Sequence, residues 1–413
     1  MSRKIFKINK KKCSHKKNVY KMKHKSKKAK KRVSRRRMKI IGGEGEQKRI
    51  LLIIDPQNDF MDIQVTFDKR IPPFNNDPFD QDSGSKGLPV PNANNDMNKL
   101  AEFLEKNPNF FNEIHVSLDS HTTDHIGHIG FWNNSSNEIQ PRPLETFYVN
   151  PGDPDFNIYV GNWDGTPKNP EQLVNPENLD LQVWAYHYIL KMQEIRENNK
   201  SKPIPCLWAE HCIIDTDGWK VQEKLKTELN KYKEKVFYHE KGTNDLVEMY
   251  SIFSAEIPYE DLKNITQNNQ NYKYISTINT VNEMYKSSNL KPIEQIEDNH
   301  EAEISNPIKN YNTNFNSHLF KKLIGENKNN EIYVCGEAKT HCVKTSLEDM
   351  IEHCDEYGYE SKNIYLINDL TSGIPGFPDP EQDLKGRGIQ ITTSEELMNN
   401  NNNTDTSVEN PKI

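Results

Sequence analysis

The chain has 413 residues, 34% of them hydrophobic, and a formal net charge of −6; at a mean hydropathy of −0.90 it is too polar to be packed core throughout, so a substantial share is expected as tail or loop. No apolar run reaches the roughly 18 residues of a membrane span, and the first residues lack the apolar segment of a secretory signal, so a soluble protein of the cytoplasm, the nucleus or both is expected, with no membrane partner. Six cysteines, at Cys13, Cys206, Cys212, Cys335, Cys342 and Cys354, form no CxxC pair, as expected of a reducing compartment.

Charge divides the chain unevenly. Residues 1–40 hold 20 Lys and Arg and no Asp or Glu, so 34 basic face 60 acidic residues in the rest, a net of −26. Like-charge repulsion predicts a disordered arm over residues 1–47, and its densest clusters, 21–32 and 35–37, read as an import-receptor address or a nonspecific nucleic-acid contact.

The body opens with Arg49-Ile-Leu-Leu-Ile-Ile-Asp55-Pro-Gln-Asn-Asp-Phe60. An apolar run of that length reads as a strand buried on both faces of a parallel sheet, with Asp55 at its carboxyl end, where open α/β sheets place ligands. A carboxylate there is either catalytic or a cap for the next turn. A helix follows over 97–104, then a second strand, Glu113-Ile-His-Val-Ser-Leu-Asp119-Ser-His121. The Asp-x-His spacing puts two metal-capable side chains on one side of an extended segment, and carboxylate with imidazole suits zinc, iron or manganese. His125 and His128 follow closely enough to complete such a site.

Residues 133–205 are rich in Asn and Pro, with helical spacing only over about 181–195, and read as an insertion. Cys206-Leu-Trp208-Ala-Glu-His211-Cys212 comes next, then a helix over 221–229 and a strand, Val236-Phe-Tyr-His-Glu-Lys241-Gly242. The Asn-rich stretch 258–316 reads as a second inserted loop. A helix over 315–323 leads to Ile332-Tyr-Val-Cys-Gly-Glu-Ala-Lys-Thr-His-Cys342-Val, a strand, a tight turn and a helix start. A thiol in the first helical turn lies near the positive end of the helix dipole, which predicts a thiolate nucleophile at Cys342. One more strand over 363–368 and a polar tail from 397 to 413 end the chain.

Together these pieces resemble a known family. Asp55, Lys241 in Glu-Lys-Gly-Thr-Asn and Cys342 in Gly-Glu-Ala-Lys-Thr-His-Cys-Val are similar to the Asp-Lys-Cys triad of the isochorismatase-like cysteine hydrolases, and Asp119-Ser-His121 with Trp208-Ala-Glu-His211-Cys212 resembles the metal motif of its nicotinamidases. The resemblance spans about residues 48–396 and implies a doubly wound α/β domain with a mostly parallel sheet. It implies hydrolysis of nicotinamide to nicotinate and ammonia through a Cys342 acyl-enzyme, in NAD salvage. It further implies a cis peptide between Glu337 and Ala338, and one divalent ion, zinc first and iron or manganese as alternatives, on Asp119, His121 and His211. Backbone N–H groups of Ala338 and Cys342 would meet the oxyanion, and Phe60 and Trp208 are candidate walls for a flat ring. Two departures stand out: Asp215-Thr-Asp-Gly218 follows the metal histidine where Gly-Thr-x-Gly is usual, and the segment before residue 205 is long. The alternatives are a cysteine hydrolase of another small amide, or a catalytically dead domain serving as a scaffold or nucleic-acid binder.

Overall fold

The computed structural model describes residues 47–62, 87–262 except 138, 169, 170, 200, 201, 203, 204 and 260, then 308–309 and 313–405. The polybasic arm up to residue 46, most of the 258–316 insertion and residues 406–413 of the tail lie outside the described residues.

Seven parallel strands form the central sheet. β1 (Arg49–Ile54) pairs with β2 (Glu113–Asp119) on one side and, in chain order, β5 (Val236–Lys241) and β6 (Ile308–Lys309) continue outward; β7 (Glu331–Gly336), β8 (Ile364–Ile367) and β9 (Gln390–Thr392) extend the other side. Every pairing in this sheet is parallel. The chain therefore grows in both directions from β1, and the loops leaving β1 and β7 part in opposite directions, which opens a crevice at their carboxyl ends.

The composition of β1 explains its central place. Ile50, Leu51, Leu52, Ile53 and Ile54 are all completely buried, each worth about 1.5–3 kcal/mol of apolar transfer, and no polar residue interrupts them. β7 lies so close that a Cβ on Gly336 (φ +111°) would stand 2.0 Å from the Ile54 carbonyl oxygen, so only glycine fits there. Helices α1 (Ala93–Lys106) and α3 (Glu223–Leu229) pack on each other, and α4 (Ser317–Ile324) packs on β7.

The insertion at 133–205 contains the helix expected over about 181–195 and, beyond that expectation, a strand pair. It contains an antiparallel pair, β3 (Thr146–Val149) with β4 (Ile158–Gly161), and the 20-residue α2 (Leu179–Asn198), started by the Asn178 side chain accepting from the N–H groups of Asp180 and Leu181. These elements share a second hydrophobic core with residues from 126–132 and 246–262. Trp132 stacks on Phe147 at 4.1 Å, and Trp184 stacks on Tyr259 at 5.2 Å while its Nε1 donates to Leu246 O at 2.8 Å. At the other end, α5 (Lys344–Tyr357) and α6 (Glu381–Gly386) pack together, and α7 (Ser394–Asp405) carries backbone helix through most of the expected tail, so the tail boundary moves from 397 to beyond 405.

Trp184→Ala should test whether this second core supports the whole. Removing a buried indole that both stacks and donates a hydrogen bond should cost about 3–5 kcal/mol of stability, read as a lower denaturation midpoint. A loss below about 1 kcal/mol would mean that the insertion contributes little.

Candidate active site

Strand ends from three parts of the chain meet in the crevice. Asp55 leaves β1 in the left-handed region (φ 44°), which Asp tolerates better than most residues. Its N–H donates to Ser117 Oγ at 3.0 Å, and the Ser117 hydroxyl donates to Asp55 Oδ1 at 2.6 Å. From the end of β5, the Lys241 ammonium reaches Asp55 Oδ2 at 3.0 Å, Asp119 Oδ1 at 2.9 Å, Met249 O at 3.1 Å and Cys342 Sγ at 3.7 Å. The structure thus brings Asp55, Lys241 and Cys342 together, fully buried, with Lys241 as the shared contact.

Electrostatics reverses one expectation. Burial works against the charge on Lys241, but Asp119 and Asp55 hold it well above the usual lysine range. Cys342 is also pushed well above the ordinary cysteine range, chiefly by burial, with Lys241 opposing and Asp55 and Asp119 adding to the rise. Cys342 therefore rests as a thiol, not the thiolate that a helix dipole alone would favour. The dipole is weaker here as well, because residues Lys339–Val343 form a π-helical turn and regular α5 begins only at Lys344. Asp55 is raised above the usual carboxylate range by burial, against Lys241, so it is a stronger base than an exposed aspartate.

The peptide between Glu337 and Ala338 is cis, and Ala338 lines the pocket beside Cys342. The Glu337 carboxyl lies elsewhere: it accepts from the Ser372 N–H at 3.2 Å, and burial, then Asp96, keeps it well above the usual glutamate range.

The metal question turns on hydrogen-bond partners. His121 Nδ1 faces Gly242 O at 3.0 Å and His211 Nδ1 faces Ala209 O at 2.7 Å. Only N–H groups can satisfy those carbonyls, so both rings present the Nε2 lone pair, at 3.0 and 3.5 Å from Asp119 Oδ2. Two lone pairs and a carboxylate oxygen converging in a buried space call for a cation between them, and the donor set suits a divalent metal. Without a metal the His121 ring instead carries a proton toward Asp119: burial opposes charge on both groups, but Asp119 raises His121 above the usual histidine range, and His121 with Lys241 holds Asp119 well below the usual carboxylate range. His125 is different, since Nδ1 accepts from the Gly127 N–H at 3.1 Å and Nε2 faces Val247 O at 3.1 Å, leaving no lone pair free. His128 donates Nδ1–H to Thr122 O and turns Nε2 toward His211 Nδ1 at 3.3 Å, so it buttresses His211. His121, His128 and His211 still have ligand-capable atoms within 4.8 Å of one another.

Asp119, His211 and Cys342 border a pocket whose wall includes Phe60, Trp208, Tyr250, His341 and Ile374. Phe60 leans on His211 at 5.4 Å, and Trp208 Nε1 donates to the Tyr250 hydroxyl at 2.8 Å. Sequence reading missed Ser117, Gln57, Tyr250 and His341. Gln57 clamps two loops by donating to Asp119 O and accepting from Asp119 N–H, each at 2.7 Å; its place two residues after Asp55 was the available signal. The departure at 215–218 forms a close turn in which a Cβ on Gly218 would meet the Asp59 carboxylate at 2.1 Å.

No protein-family model matches the chain, and no curated protein matches it in sequence. Among solved structures it is similar to a nicotinamidase/pyrazinamidase of Acinetobacter baumanii (15% identity, 86% of this chain and 100% of that one, TM-score 0.40). It is also similar to the yeast nicotinamidase bound to nicotinaldehyde (15%, 84% and 99%, TM-score 0.42) and to the pyrazinamidase of Pyrococcus horikoshii in complex with zinc (17%, 84% and 99%, TM-score 0.35).

His211→Ala should strip the bound metal from purified, dialysed protein, whereas His125→Ala should retain it, as read by elemental analysis. Equal metal content in both variants would move the third ligand away from His211.

Proposed function

We propose that the protein is a metal-dependent cysteine amidohydrolase that deamidates nicotinamide to nicotinate and ammonia, a step of NAD salvage. The observation that carries this reading is the position of the Lys241 ammonium, in contact at once with a carboxylate base, a thiol and the carboxylate of a metal-capable cluster.

The chemistry follows from those contacts. With the amide carbonyl against Cys342, Asp55 takes the thiol proton as sulfur bonds to the carbonyl carbon. The charge that develops on oxygen falls to the N–H groups of Ala338 and Cys342. Asp55 then returns the proton to nitrogen, the C–N bond breaks and ammonia leaves. Water attacks the thioester, Asp55 accepts its proton, and the C–S bond breaks to restore the thiol and release the acid. Lys241 stays protonated throughout, holding Asp55 in place and stabilising the transient thiolate. A divalent ion held by Asp119, His121 and His211, zinc first, would supply a Lewis-acidic seat that orients the ring and carbonyl of the substrate. Phe60 and Trp208 would flank the ring.

Another small amide is the second reading, and Glu248 favours it. Its carboxyl lines the pocket and is pushed above the usual glutamate range by burial, so it offers a further polar contact that a different substrate could use. The scaffold reading is weakened by the convergence of all three triad groups.

Ammonia release from nicotinamide by the full chain, with and without a chelator, tests the reading; no release from nicotinamide alongside release from other amides would select the alternative. Cys342→Ala should lower turnover by roughly a thousandfold or more while leaving ligand binding intact. The pH profile has a definite sign. Asp55 acts only when ionised, and its raised range means that activity should fail on acidification at a higher pH than an exposed aspartate, near 3.8, would allow. Alkylation of Cys342 should accelerate only above the ordinary cysteine range, and rapid alkylation at neutral pH would contradict a resting thiol.

A further inference from the structure

A line of four aromatic rings runs from the pocket to the surface. Trp208 and His341, both in the pocket wall, meet edge to face at 5.2 Å; Phe377 meets the outer side of His341 at 4.4 Å; Trp163 meets Phe377 at 5.5 Å. Phe377 belongs to the turn that starts at the wall residue Ile374, whose carbonyl accepts from its N–H at 3.4 Å. His341 is a neutral packing surface, since burial and then Lys344 lower it to about 3. Trp163 comes from the insertion, in the turn that follows β4, and is 46% exposed, unusual for so large an apolar side chain.

That turn is braced. The Asn162 N–H donates to Thr166 O at 2.7 Å, the Gly165 N–H donates to Asn162 O at 2.9 Å, and Asp164 Oδ1 accepts from the Thr166 N–H at 2.9 Å and from its hydroxyl at 2.6 Å. Asn162 Nδ2 adds a bond to Pro167 O at 3.1 Å. A loop that spends its polar groups on its own geometry and exposes an indole holds that ring in a set place, and among the described residues its aromatic neighbour Phe377 leads back to the pocket wall.

We propose that Trp163 and Phe377 form a size-selective gate at the pocket mouth, with Trp163 a specificity-determining residue supplied by the insertion. The gate admits single-ring, uncharged heteroaromatic amides and holds back fused-ring or otherwise extended ones. The support is positional: Phe377 packs on the wall residue His341 at 4.4 Å and Trp163 packs on Phe377 at 5.5 Å, so both rings flank the part of the wall that a ligand extending past His341 would meet. Aromatic faces and edges carry no charge, so the selection is by shape and flatness. The inference rests on Cys342 being the reactive group of this pocket and is otherwise independent of which amide is cleaved.

The test uses two arms on the full chain. In the first, Cys342 is alkylated with iodoacetamide and with N-pyrenylmaleimide, and the reaction of the remaining cysteines is subtracted with Cys342→Ala. Trp163→Ala should raise the pyrenylmaleimide rate about tenfold and leave the iodoacetamide rate within about twofold, while Trp163→Phe keeps the wild-type discrimination and Phe377→Ala reproduces the loss. In the second arm, the preference in kcat/KM for nicotinamide over quinoline-3-carboxamide should narrow about tenfold in Trp163→Ala, chiefly through KM. Unchanged discrimination in both Trp163→Ala and Phe377→Ala overturns the gate. Absence of ammonia release from nicotinamide by the wild type sinks the substrate reading instead, and the alkylation arm still decides on the gate.

Discussion

A single buried ammonium organises this site. Lys241 has no access to water, and its charge is tolerable only because Asp55 and Asp119 face it at about 3 Å from two sides. Counting formal charges, two carboxylates and one ammonium leave one negative charge in a buried crevice, on the side where His121 and His211 turn Nε2 toward Asp119, and in the absence of a metal a proton on His121 offsets it. A cation bound there balances the site, so the triad and the metal cluster are electrostatically one unit with Lys241 at its centre. The same balance suits the chemistry: moving a proton from Cys342 to Asp55 exchanges one anion for another and leaves the total charge around Lys241 unchanged, which is why a resting thiol is no obstacle to catalysis.

The sheet makes this convergence possible. Parallel strands release all their carboxyl ends on one edge, so Asp55, Asp119 and Lys241 arrive there from strands adjacent in space although up to 186 positions apart in the chain. Close packing then fixes their geometry. A Cβ on Gly242 (φ +68°) would lie 2.6 Å from the His121 ring and 2.8 Å from Asp119 Oδ1, so the residue after the lysine is small because two metal-capable side chains occupy the space beside it. Ser117 and Gln57 do the corresponding work on the other flank, orienting the base and tying the β1 loop to the end of β2.

Much of this was legible in the sequence, for a physical reason. Strands buried on both faces need continuous apolar runs, and the polar residues that end such runs fall on one edge of the sheet, so Asp55, Asp119 and Lys241 could be placed at strand ends, while the roles of Asp55 and Lys241 were implied only by the family resemblance. What could not be read depends on tertiary surroundings. The protonation of Cys342 is set by burial and two carboxylates from other strands, which a local argument from the helix start omits. His125 and His128 have the same composition signal as His121, and only the carbonyls of Val247 and Thr122 separate them from the ligand pair. Within the insertion the helix was legible over 181–195, but the hairpin escaped because β3 and β4 are only four residues each and are buried at three of their four positions, too short to show a strand period.

The insertion's effect on the site is more than a longer wall. Glu248 and Tyr250 stand between the catalytic pocket and a second cavity, lined by Trp132, Phe147, Tyr188 and Met192. The Tyr188 hydroxyl accepts from the Glu248 N–H at 3.1 Å, and Glu248 lies against Gly127, where a Cβ would meet its Oε2 at 2.6 Å. The segment that carries the pocket's buried carboxyl is therefore positioned by α2, while the same insertion delivers Trp163 to the outer rim. Reactive groups come from the sheet edge and are constrained by charge; the surfaces that decide what reaches them come from the insertion and are constrained by packing. A fold divided in this way can alter its substrate range by changing α2 or the β4 turn without disturbing the ammonium on which the chemistry depends.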